Sequence, residues 1–90
     1  MPRDIKIPPH SDEAEESVLG ALLMDKDAIN TVAPLLTSQH FFSAKHRLIY
    51  EAILELFEDR EAIDLVTVSD QLKKAKALKK AGGKVFLTEL

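Results

Sequence analysis

The 90-residue chain contains no cysteine and no tryptophan, and it has only three glycines and a single tyrosine. Without cysteine, disulfide cross-links, thiolate catalysis and cysteine-ligated zinc are all excluded. A small domain lacking such staples relies on helix packing or on partner subunits, so association is an expectation from the outset. No apolar run approaches the roughly 20 residues of a membrane span, and residues 1–9 lack the apolar centre of a signal peptide. The expected location is the cytoplasm. Positive charge is also short, with a formal net charge of −3. A stand-alone duplex binder normally carries a clear positive excess to displace counterions from phosphates, so DNA is not expected to be the main ligand.

What is present is an ordinary globular mixture, 46% hydrophobic and 30% charged, which argues against disorder and against a fibrous repeat. A chain of this length buries only about two-thirds of its unfolded surface and supports one core. Pro8-Pro9 forbids helix, so residues 1–10 read as an extended lead-in and residues 11–90 as the folded domain. There is no internal repeat and no low-complexity tract.

The patterning of 11–90 is helical. Asp12 with Glu15 three residues later resembles a capping pair, and four acids in this turn suit the positive end of a helix dipole. Ala14, Val18, Ala21 and Leu22 form an apolar stripe that Leu19 and Leu23 widen, ending at Met24-Asp25. Gly20 costs this helix about 1 kcal/mol relative to alanine, which points to another backbone passing close by. Asp27 is placed to cap a short second helix carrying Ala28, Ile29, Val32 and Ala33, which Pro34 stops near Ala33. Phe41 and Phe42 are expected to anchor the following connection. The clearest helix covers residues 44–58, with Leu48, Ile49, Ala52, Ile53, Leu56 and Phe57 on one side and Lys45, Arg47, Glu51, Glu55 and Glu58 on the other.

Residues 63–68, Ile-Asp-Leu-Val-Thr-Val, are rich in β-branched side chains, yet a lone strand would have nothing to pair with. Thr67 to Asp70 has capping-box spacing, so a helix over about residues 67–76 is expected instead. Gly82-Gly83 then turns the chain into a last apolar helix carrying Val85, Phe86, Leu87 and Leu90. That helix ends without a polar cap, so part of its packing partner is expected beyond this stretch. The fold class expected is all-α, a small orthogonal bundle of about five or six helices.

Candidate chemistry is sparse. Gly82-Gly83-Lys84 lacks the strand, spacing and Ser/Thr of a phosphate-binding loop and reads as a turn. His10, His40 and His46 have no i, i+3 or i+4 pair that would present two imidazoles to one metal, so no metal site is expected. The histidines read as surface or capping residues, His46 as a partly buried polar contact. Glu51, Glu55 and Glu58 suit a solvated face, or failing that a basic partner. Lys73, Lys74, Lys76, Lys79 and Lys80 form the basic run, without an interleaved aromatic for base stacking; a solvated helix face is the first reading and weak backbone contact the second. No catalytic and no cofactor-binding residue is identified.

With the helices placed, four motifs in order resemble bacterial DnaB-type replicative helicases. They are Pro8-Pro9 with Glu13-Ala14-Glu15-Glu16-Ser17-Val18-Leu19-Gly20; Phe41-Phe42 with His46-Arg47-Leu48-Ile49-Tyr50 and Ala52; Ile63 to Val68; and Gly82-Gly83, Phe86-Leu87 and Leu90. The likeness spans nearly the whole chain, and four ordered motifs are far more specific than any one. Two departures are local: Pro34 breaks a helix that usually runs smoothly, and Arg60-Glu61-Ala62 replaces a turn commonly tightened by glycine and proline. The resemblance implies a helical N-terminal domain followed by a helical hairpin, a linker and a RecA-like motor, the last using ATP and magnesium. It further implies that the N-terminal domains pair into a collar on a hexameric ring, meeting primase and a helicase loader, while the motor translocates on single-stranded DNA.

The expected function is therefore assembly and protein docking, with Phe86, Leu87 and Leu90 as interface candidates left exposed at the final helix. Two alternatives remain open: a single-strand-binding module acting through the lysines, and a free-standing helical adaptor.

Overall fold

The computed structural model of the chain describes residues 11–90; the lead-in at residues 1–10 and His10 lie outside them. Five α-helices follow one another, α1 Asp12–Met24, α2 Ala28–Val32, α3 Ala44–Glu58, α4 Leu65–Lys74 and α5 Gly83–Thr88, with a 3₁₀ turn at Ser38–His40. Among the described residues there is no strand, and the β-branched stretch at residues 65–68 is helical. The all-α class holds.

Helix α3 is the central element because it has two distinct sides over its whole length. Ile49, Tyr50, Ala52, Ile53 and Leu56 are buried, and each fully buried side chain of this size contributes about 1.5–3 kcal/mol of transfer free energy. Its polar side leaves Lys45, Glu51, Glu55 and Glu58 exposed. Leu19 and Leu22 from α1, Ile29 from α2, Val68 and Leu72 from α4 and Leu87 from α5 complete the core. Phe41 lies buried with its ring 4.9 Å from that of Tyr50. The Tyr50 hydroxyl donates to the Leu36 carbonyl at 2.8 Å, which satisfies its polar end, and burial pushes this phenol's pKa up.

Several expectations shift in detail. Ser11, not Asp12, caps α1, its hydroxyl accepting from the Ala14 N–H at 3.2 Å. The buried face of α1 is rotated toward Leu19 and Leu22, with Ala14 and Ala21 exposed, because the two leucines offer far more apolar area than the two alanines. Asp27 occupies the cap position of α2 without a side-chain cap bond; its own N–H donates to Asp25 Oδ1 instead. Phe42, expected to anchor alongside Phe41, is 53% exposed. Helix α4 starts earlier than expected, since Asp64 Oδ1 accepts from the Thr67 N–H and Thr67 Oγ1 accepts from the Asp64 N–H, both at 2.9 Å. Thr67 thus closes the capping box as the third residue of the helix and does not open it, and α4 ends at Lys74.

Three turns close in the same way. After α3, Glu61 N–H donates to Leu56 O and Arg60 N–H to Phe57 O. After α4, Ala77 N–H donates to Leu72 O and Lys76 N–H to Lys73 O; before α5, Gly83 N–H donates to Leu78 O and Gly82 N–H to Lys79 O. Each is the paired-bond closure that requires a left-handed residue, here Arg60 at φ 59°, Lys76 at φ 58° and Gly82 at φ 104°. Gly82 suits its position, whereas the other two place a long cationic side chain where L-residues are strained.

Candidate docking site around the last helix

The three interface candidates occupy different environments. Leu87 points inward and is 1% exposed, so the expectation that it is left uncovered is corrected: it belongs to the core. Phe86 and Leu90 are half-buried at the edge of the bundle, and Val85 beside them is 71% exposed. Gly82 lets the chain turn against Phe86; a Cβ there would come within 2.7 Å of the ring. The Phe86 ring stacks on His46 of α3 with centroids 6.0 Å apart and planes 17° apart, and Lys45 Nζ lies 5.0 Å from its centroid, within cation–π range.

Beneath Phe86 lies a polar junction. Glu15 of α1 sends its carboxylate, 12% exposed, to the start of α3. Oε2 accepts from the Phe42 N–H at 2.8 Å and Oε1 from the Ser43 N–H at 3.4 Å. Oε1 also meets His46 Nδ1 at 2.6 Å. An ionised carboxylate only accepts, so Nδ1 carries the proton and donates. Burial by itself would raise the Glu15 pKa, but the His46 hydrogen bond, the two backbone donors and the His46 charge together outweigh it and hold the carboxyl below the ordinary carboxylate value. His46 Nε2 faces Glu16 Oε2 at 3.5 Å. Arg47 Nη1 donates to the carbonyls of Phe41 and Phe42, both at 3.2 Å, fastening the same connection from outside.

Sequence reading placed His46 as a polar contact but missed its partner, since Glu15 is 31 residues away. One signal was present: His46 shares the buried face of α3 with Ile49, Tyr50 and Ile53, so its ring needs a partner from another element. Ligand atoms of Asp12, Glu15 and His46 lie within 4.8 Å of one another, a spacing not anticipated from the histidine pattern. Both Glu15 oxygens and His46 Nδ1 are already engaged in the hydrogen bonds above, so this donor set is used internally. His40 has a capping role, its Nδ1 accepting from the Thr37 N–H at 2.9 Å. Glu55 accepts from Gln71 Nε2 at 3.0 Å, tying α3 to α4. A groove of about 350 Å³ lies between α2 and the turn after α3, where Lys26, Asp27, Phe57 and Arg60 mix both signs of charge with an aromatic ring. Among the described residues, no helix is long and apolar enough to cross a membrane.

A five-helix bundle whose first and third helices are joined by a largely enclosed Glu–His pair, with Phe86 of the last helix stacked on it, defines a small all-helical domain. Its family follows from direct comparison: residues 7–90 match the model of the DnaB-like helicase N terminal domain, and the chain belongs to that family. It is 41% identical over 86 residues to the replicative DNA helicase DnaB of Buchnera aphidicola subsp. Schizaphis graminum, covering 96% of this chain and 18% of that protein. It is 38% identical over 85 residues to the replicative DNA helicase DnaB of Rhodothermus marinus, covering 94% of this chain and 9% of that protein. The chain thus spans less than a fifth of either relative. The crystal structure of the N-terminal domain of DnaB helicase from Mycobacterium tuberculosis superposes with a TM-score of 0.88 at 38% identity, over 92% of this chain and 59% of that one.

Proposed function

We propose that this domain is the assembly and docking module of a replicative DNA helicase, supporting ring formation by sister subunits and contact with primase and a helicase loader. ATP and magnesium would serve the motor of the whole protein and not this domain. The observation that carries the reading is the outer edge of α5, where Val85 stands exposed and Phe86 and Leu90 are half-covered on a well-packed domain of this family. An apolar edge rimmed by charge, here Lys84 and Glu89, is the ordinary form of a protein contact surface. Leu87 supports that edge from within by fixing α5 to the core.

Sedimentation of the chain, alone and mixed with the C-terminal domain of primase, tests this. The expected outcome is concentration-dependent association above 10.0 kDa, a complex with primase, or both, weakened by Val85→Glu. A strict monomer that ignores primase would overturn it.

A further inference from the structure

The formal net charge conceals a division within the chain. Residues 71–88 hold six of the twelve basic residues and none of the fifteen acids, so this stretch carries +6 and the remainder −9. Lys73, Lys74, Lys76, Lys79, Lys80 and Lys84 are all exposed. Among the described residues, none of the six forms an ion pair within 4.0 Å; the pairs there join His46 to Glu15 and Glu16. The backbone bonds of the two successive turns fold residues 72–83 compactly between α4 and α5, which gathers the six lysines at that end of the bundle. Surfaces that are merely solvated usually intersperse both signs. At salt concentrations near physiological the field is cut off within about 8–10 Å, so an approaching polyanion meets this local excess of positive charge, bordered by Asp70, Glu51 and Glu55, and not the overall −3.

A second observation concerns Lys76. It occupies the left-handed closure of α4 at φ 58°, a position where glycine fits without strain and a lysine costs about 1 kcal/mol. Its side chain makes no ion pair or hydrogen bond within the described residues that would offset that cost.

We propose that these six lysines form a contact surface for the phosphate backbone of a single-stranded nucleic acid. Lysine is a compact point charge suited to phosphate without base reading. The small groove beside Ala75 and Ala77, about 90 Å³, is apolar in part but shared with Glu51 and Glu55, whose carboxylates repel an acidic peptide seating there. The lysines follow a bent path from the end of α4 through the turns into α5; a single strand can track it, whereas a straight duplex meets fewer of them. The contact is sequence-independent and weak, consistent with a domain whose main role is docking. It is independent of the assembly reading, because oligomer state and oligonucleotide affinity are measured separately.

The test is fluorescence anisotropy of the 90-residue chain with a labelled oligothymidine. Moving from about 50 to about 200 mM salt should weaken binding roughly 50- to 300-fold if four to six lysines each neutralise a phosphate. Lys79→Glu with Lys80→Glu should reduce affinity at least about tenfold at low salt, while Lys26→Glu on the far groove stays within about twofold. Circular dichroism should be unchanged in both variants, since all three side chains are exposed. Absence of binding at low salt, equal loss in the Lys26 variant, or labelled oligoglutamate bound as tightly as oligothymidine would overturn the proposal, the last in favour of an acidic polypeptide. A matched duplex bound more tightly would overturn the single-strand assignment.

Discussion

Where α1, α3 and α5 meet, Glu15 and His46 are enclosed and each has partners on a different element; at the α4–α5 end, six lysines stand in solvent with none among the described residues. The first region tolerates buried polarity because nearly every donor and acceptor is matched, which makes it a structural joint. The second forms no ion pair among the described residues, and at Lys76 gives up some fold stability. A region that contributes to folding and a region available for binding therefore both adjoin the same short helix α5.

The largest expected effect lies on the structural side. Leu87→Ala removes a fully buried side chain and should destabilise the domain by about 2–5 kcal/mol, measured by urea denaturation. A cost below about 1 kcal/mol would mean that α5 is not held by the core. Next comes Glu15→Gln, which weakens the charged contacts to Phe42, Ser43 and His46 and should cost about 1.5–3 kcal/mol at neutral pH. Because the Glu15 pKa is lowered in the folded chain, its contribution is present above the ordinary carboxylate value of 4.5 and is lost as pH falls through the folded value. The variant's stability should therefore depend less on pH in that acid range; parallel profiles would refute the joint. The smallest effect separates the two regions most sharply. Lys76→Gly should raise stability by about 1 kcal/mol by relieving the left-handed backbone, and should also lower the salt slope of oligonucleotide binding by about 0.7. Both changes in the same direction would leave the division between the regions without support.

Much of the fold was legible because α3 carries an uninterrupted two-sided pattern, and its bounds at Ala44 and Glu58 follow directly from it. Pro34 likewise marked the end of α2. The start of α4 was misplaced because two capping boxes overlap, Asp64 with Thr67 and Thr67 with Asp70, and a carboxylate is the stronger acceptor for the first free N–H groups. The joint was not legible: four acids at the start of α1 look alike in one dimension, and only packing decides that Glu15 turns inward while Glu13 stays out. Phe86, Leu87 and Leu90 form one apolar run on paper, but helical geometry sends Leu87 to the core and leaves its neighbours at the rim.

Gly20 has a consequence beyond the absence of a side chain. A methyl there would sit 3.0 Å from the carbonyl carbon of Leu90, so the midpoint of α1 is a saddle on which residue 90 rests. Gly20→Ala would press on that backbone and displace it by a few tenths of an ångström without touching any side chain of α5. The seat of residue 90 is thus set by a hydrogen atom seventy residues upstream.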